Sequence, residues 1–170
     1  MNFFMLPGHI ATLFVGFKFA LILTFENPIT GYGGASHAEI SISRDLSFNK
    51  GQTIIINPKT DKLDTNLVIF TKNRKYNFYI KFDKERAFKF VDVYNGKINN
   101  SYVLKREANS YKYYEGKTSV KIANKQKYPI YVNGRKVKRV QYFSKGIPLF
   151  IKKNPEKNIA NGKMIIEDFL

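Results

Sequence analysis

The chain has 170 residues, 44% hydrophobic and 15% aromatic, too apolar for a disordered tail and too interrupted for a multi-span membrane protein. Its 29 Lys and Arg against 13 Asp and Glu leave a formal charge of +16, which attracts nucleic acid, anionic lipid or an acidic partner. The absence of cysteine excludes disulfides, thiolate catalysis and cysteine zinc sites, and the abundance of Tyr, Phe, Ile and Val favours strands over helices.

Residues 1–43 carry only Lys18 against Glu26 and Glu39; the rest holds 28 bases against 11 acids, a net of +17. Within this apolar first quarter, residues 10–25 are too short for a membrane span and contain Lys18. They also lack the basic start of a signal peptide, whose cleavage site would fall near Ala35-Ser36-His37-Ala38. Alternation gives the preferred reading. Ala11, Leu13, Val15, Phe17, Phe19, Leu21, Leu23 and Phe25 share one strand face, and Thr12, Lys18, Thr24 and Glu26 the other, with a bend or break near Gly16. The natural start, with any export signal, is then expected upstream of Met1.

Asn27-Pro28 and a glycine-rich loop at residues 31–34 close this region. Short strands are expected at 40–43 and 53–56, separated by Asn49-Lys50-Gly51 and ended by Pro58. Residues 66–71 and 76–82 flank a polar tetrad at 72–75 and predict a β-hairpin with Tyr76, Phe78, Ile80 and Phe82 on its buried face. Residues 83–88 are the best helix candidate, but they are short and lack an apolar stripe. Asn-Gly pairs at 95–96, 133–134 and 161–162 suit tight hairpin turns. The expected fold is therefore all-β: an antiparallel sandwich or partly open barrel of short strands and hairpins with little helix. A β-sandwich domain is expected over residues 1–105, and a β-rich extension or second small β unit over 106–170, after a polar, tyrosine-rich stretch at 105–116.

Nothing in the sequence assembles a catalytic site. His9 and His37 lack metal-binding spacing, the glycines at 31–34 lack the lysine and helix of a phosphate cradle, and Glu167 and Asp168 point to opposite faces of a strand over 163–169. No enzyme activity, cofactor or metal is expected. Lys72, Lys75 and Lys81, together with Arg74, Lys84, Arg86 and Lys89, cluster about the hairpin, while Arg135, Lys136, Lys138 and Arg139 follow the Asn133-Gly134 turn. Beside them, Tyr76, Tyr79, Tyr111, Tyr113 and Tyr114 offer stacking faces of the kind single-strand binders use. The plainer reading is a solvated lysine face, since lysine on exposed strands also blocks edge-to-edge aggregation.

The run Ile54-Ile55-Ile56-Asn57-Pro58-Lys59, followed by Asp64-Thr65-Asn66-Leu67-Val68-Ile69-Phe70-Thr71 and then Arg74, Tyr76 and Phe78, resembles a known pattern. It is similar to the N-terminal domain of the periplasmic core-complex subunit of type IV secretion and conjugation systems, the family of the CagX, TrbG and TraK-like proteins. Thr65, Asn66, Leu67, Thr71, Arg74, Tyr76 and Phe78 carry the match, which covers about residues 9–93 on the strand spacing. The family's C-terminal domain is not recognisable in residues 94–170. The resemblance implies a structural subunit at the outer-membrane side of a secretion complex in the periplasm, packing against copies of itself and other core-complex subunits. It leaves mostly packing roles to the motif residues, with Thr65 and Asn66 shaping the opening of the hairpin. Two other readings stand beside it: a cytoplasmic basic β-barrel binding single-stranded nucleic acid, and, weakest, a peripheral protein of anionic membrane surfaces.

Overall fold

In the computed structural model, which describes residues 1–44, 48–152 and 166–169, the period-two apolar pattern becomes strands nearly throughout. In chain order these are β1 (Asn2–Met5), β2 (Ile10–Val15), β3 (Leu21–Phe25), β4 (Ile29–Gly33), β5 (Ile40–Arg44), β6 (Thr53–Pro58), β7 (Asp64–Thr71), β8 (Lys75–Phe82), β9 (Phe90–Asn95), β10 (Val103–Glu107), β11 (Tyr111–Glu115), β12 (Ser119–Asn124), β13 (Ile130–Val132), β14 (Arg135–Val137), β15 (Val140–Ser144), β16 (Phe150–Lys152) and β17 (Ile166–Phe169). A single 3₁₀ turn, Phe48–Gly51, is the only helical element among the described residues. The fold is all-β, and residues 83–88 form a loop.

The chain divides into Met1–Asn95 and Gly96–Leu170. An expected division at 105/106 would cut β10, whose partner β11 lies on the far side of it. The polar 105–116 stretch is therefore a hairpin of the second unit, because the Tyr111 and Tyr113 side chains turn inward from it and pack in that unit's core.

The first unit holds two sheets, ordered β1-β9-β3-β6-β5 and β2-β8-β7-β4. Their inner faces follow from alternation: Leu67 and Ile69 on β7, Tyr76, Phe78 and Ile80 on β8, and Leu21, Leu23 and Phe25 on β3 are buried. Phe25 bridges the sheets, with its ring 5.1 Å from that of Tyr76 and 6.2 Å from that of Phe78. The β7–β8 hairpin pairs Leu67 with Phe78 and Ile69 with Tyr76; Phe70 pairs with Lys75, so the turn is tighter than the expected tetrad at 72–75. Three ladders are parallel, however: β1 with β9, β3 with β9 and β2 with β8. Alternation fixes which way side chains face, not the direction of a neighbouring strand, so this mixed topology leaves no mark on the pattern.

Three expectations need correction. Phe17 and Phe19 leave the buried face of the 10–25 segment and stand exposed, because the chain turns over residues 16–19 between β2 and β3. Residues 31–33 are not a loop but the end of edge strand β4, paired through Tyr32 with Ile69 of β7. Asn95-Gly96 makes no left-handed turn and instead ends the first unit; Asn133-Gly134 does make one, with φ of 49° and 77°. The Asn161-Gly162 pair lies outside the described residues.

The second unit also has two sheets, β10-β11-β12-β15 and β14-β13-β16-β17, which share one core of Tyr111, Val120, Ile122, Ile130, Val132, Val137, Phe143, Leu149 and Ile151.

Candidate interaction surfaces

Three of the motif residues, Thr71, Arg74 and Tyr76, converge on one polar clamp. Thr71 closes the β7–β8 turn, with its backbone N–H and its Oγ1 both donating to the Arg74 carbonyl at 2.8 and 3.1 Å. That turn aims the Arg74 guanidinium across the unit, where Nη2 donates to the Met5 carbonyl at 2.5 Å and Nη1 to Asn95 Oδ1 at 2.5 Å. The Tyr76 hydroxyl also donates to Asn95 Oδ1, at 3.1 Å, and the Glu26 carboxylate accepts from the Asn95 backbone and side-chain nitrogens at 2.7 and 2.6 Å. Strands β1, β8 and β9 and the β3–β4 corner are thus tied at one point. Burial pushes the Tyr76 hydroxyl above the usual tyrosine pKa, an effect that the Arg74 charge partly opposes.

Phe78 and Leu67 are core residues, and Thr65 is buried in β7. Asn66 is exposed within the same strand, opposite Tyr79, so Thr65 and Asn66 belong to the ladder, while Thr71 and Arg74 shape the turn.

The anticipated basic residues are divided between the two units. Lys72 and Lys75 are exposed at the β7–β8 turn; Lys81, at the other end of β8, lies 3.7 Å from Asp64 and over the Tyr79 ring at 5.0 Å. Arg135, Lys136, Lys138 and Arg139 are in the second unit, on or after the β13–β14 hairpin, with Lys136, Lys138 and Arg139 exposed. The tyrosines divide too. Tyr76 and Tyr111 are buried in separate cores and cannot stack on a ligand. Tyr113 is half-buried and donates to Glu115 Oε1 at 3.1 Å. Among the described residues no group of three His, Asp or Glu gathers as metal ligands.

No family model matches the chain, and no curated protein matches it. Among solved structures it is similar to the CD2-binding domain of CD58 (lymphocyte function-associated antigen 3), at 7% identity over 86% of this chain and 92% of that one, with a TM-score of 0.27. Agreement at that level does not inform function.

Two surfaces escaped the sequence reading. The first is strand β10, the edge of its sheet, with all five residues exposed; Val103 is 62% and Leu104 46% accessible. Glu107 anchors its end, accepting from Lys125 Nζ at 2.7 Å and facing Lys112 Nζ at 3.4 Å, contacts that hold its carboxyl below the usual glutamate range. Cross-strand register continues inward from this edge as a row on the outer face: Leu104, Tyr114, Lys121 and Tyr142. Lys121 Nζ lies 4.2 Å from the Tyr114 ring centroid and 5.4 Å from that of Tyr102, which packs 5.6 Å from Tyr142. The second is the turn carrying Phe17 and Phe19. Gly16 inside an otherwise continuous alternation, with Lys18 between the two phenylalanines, was the available signal for it.

Proposed function

We propose that this chain is an assembly subunit of a type IV secretion or conjugative transfer channel, contributing β units to a periplasmic ring by protein-protein contact. The observation that carries the reading is β10. An edge strand with five exposed residues, two of them large apolar side chains, suits strand addition by a neighbour. Lys105 on the same strand discourages indiscriminate pairing and favours a partner strand that carries carboxylates. The Thr65, Asn66, Leu67, Thr71, Arg74, Tyr76 and Phe78 pattern adds support, since its Thr71, Arg74 and Tyr76 members converge on one clamp. Other core-complex subunits and further copies of the chain are the partners this implies.

Sedimentation velocity and cross-linking of the chain, alone and co-expressed with its genomic neighbours, test the proposal. A defined higher-order species that Val103→Asp/Leu104→Asp dissolves is expected; a monomer at tens of micromolar with no neighbour cross-linked would end it.

A second reading, binding of single-stranded nucleic acid, is favoured by the Tyr114–Lys121–Tyr142 row, which sets aromatic faces beside a cation on a solvent-facing sheet. It requires affinity that falls steeply with salt and with Tyr114→Ala/Tyr142→Ala; an absent response to oligonucleotide titration excludes it.

A further inference from the structure

The first unit ends in two chain crossings between its sheets. Residues 16–20 carry the chain from β2 to β3, and residues 83–89 carry it from β8 to β9. They are fastened together: the Asp83 backbone N–H donates to the Val15 carbonyl and that of Phe88 to the Phe14 carbonyl, each at 2.9 Å. Gly16 permits the approach, since a Cβ there would lie 3.2 Å from the Ala87 Cβ and 3.4 Å from the Lys84 Cα. Asp83 fixes the second crossing. It accepts from the Glu85 and Arg86 backbone nitrogens at 3.0 Å each and pairs with the Arg86 guanidinium.

On this braced tip stand phenylalanines that the interior does not take up. Phe17 is 61% exposed, leaning on Phe82 with ring centroids 4.7 Å apart; Phe19 is 36% exposed, and Phe90, just beyond the second crossing, 63%. Cations lie close to the Phe19 ring. Lys89 Nζ is 3.6 Å and Lys18 Nζ 5.4 Å from the Phe19 centroid, and Lys84 is exposed on the adjoining crossing. The tip has four bases, Lys18, Lys84, Arg86 and Lys89, against Asp83 and Glu85, and Arg86 is the base that Asp83 engages.

We propose that this tip docks on an anionic lipid bilayer, with Phe17 and Phe19 entering the boundary between headgroups and acyl chains while Lys18, Lys84 and Lys89 meet lipid phosphates. Three features favour this occupant. The rings sit on turns rather than in a groove, so they suit a soft surface that closes around them. Both Phe19-associated ammonium groups lie within 5.4 Å of the ring, so apolar rings and cations share one tip, as binding to an anionic lipid surface requires. A second copy meeting the tip with its own tip would bring like charges together in a chain of net +16. The inference is independent of ring assembly by β10.

The chain contains no tryptophan, so Phe17→Trp installs a single reporter on the intact protein. With vesicles of phosphatidylcholine and phosphatidylglycerol, the expected results are co-sedimentation, a blue shift of that tryptophan and quenching by brominated acyl chains, all absent with phosphatidylcholine alone. Phe17→Ser/Phe19→Ser should weaken partitioning ~100-fold, from the transfer cost of two phenyl groups, while keeping the wild-type strand dichroism at the assay temperature. Lys18→Gln/Lys89→Gln should weaken it ~25-fold, at about fivefold per lysine, and flatten its salt dependence. Co-sedimentation with an unshifted, unquenched Phe17→Trp would mean that lysines elsewhere bind the vesicle and would overturn the assignment. So would wild-type partitioning of the serine variant, or no partitioning at low salt, which would turn the tip over to a protein partner.

Discussion

Replacing Arg74 by alanine tests whether the motif arginine is a fastener of the first unit or a surface charge. Its Nη2 bond to the Met5 carbonyl is partly buried and charge-assisted, a class worth roughly 1.5–3 kcal/mol. The bond to Asn95 and the position over the Tyr76 ring at 5.4 Å are more exposed, each contributing about 0.5 kcal/mol. Together the loss is about 3 kcal/mol, which for a unit of this size corresponds to a melting temperature lower by roughly 12–24 °C. Arg74→Lys should recover only part, because an ammonium cannot span the Met5 carbonyl and Asn95 Oδ1 as the forked guanidinium does. Lys75→Ala, one residue along on the exposed side of β8, is the control and should change stability by less than ~0.5 kcal/mol. Calorimetry with urea titration provides the readout. An Arg74→Ala protein within 0.5 kcal/mol of wild type would refute the clamp.

Phe78→Ala empties a fully buried position between the sheets and should cost about 3–5 kcal/mol in urea unfolding, with Asn66→Ala on the opposite face near neutral. Gly134→Ala should cost about 1 kcal/mol through backbone strain alone, since φ is +77° and a Cβ there meets nothing within 4 Å; a neutral result would deny the tight turn. Burial, followed by the Glu115 charge and hydrogen bond, raises the Tyr113 pKa above its ordinary 10.0. The neutral phenol therefore stabilises the fold fully below that value, and the contribution is lost as pH climbs above about 10. Tyr113→Phe should accordingly flatten the alkaline decline in melting temperature, and an unchanged slope between pH ~9 and ~11.5 would contradict the assignment.

The strand content was legible because apolar residues at period two leave few alternatives, as in 76–82, where every second side chain is buried up to Ile80. The Asn133-Gly134 turn was legible for an equally local reason, the two left-handed residues it demands. Pairing partners were not. The parallel ladders of β2 with β8 and β1 with β9 join residues more than sixty positions apart, and no local pattern encodes such a match. Phe17 and Phe19 continued the alternation of Leu13 and Val15, and only the turn at Gly16 reversed their fate. The stacking role for Tyr76 and Tyr111 failed because composition counts aromatic rings without saying which side of a strand is closed over. Arg74 was visible as a motif residue, but its partners Met5, Asn95 and Glu26 come from distant parts of the chain.

Amide hydrogen exchange, measured on the free chain and on its assembled form, bears most directly on the edge-strand account. In the free chain, amides of 103–107 that do not face β11 should exchange rapidly, while 64–71 and 75–82 remain slow. Assembly should protect 103–107 by at least tenfold and leave the β7–β8 hairpin unchanged. An assembled particle in which 103–107 exchange as fast as in the free chain would contradict the claim that β10 is where a neighbour adds its strand.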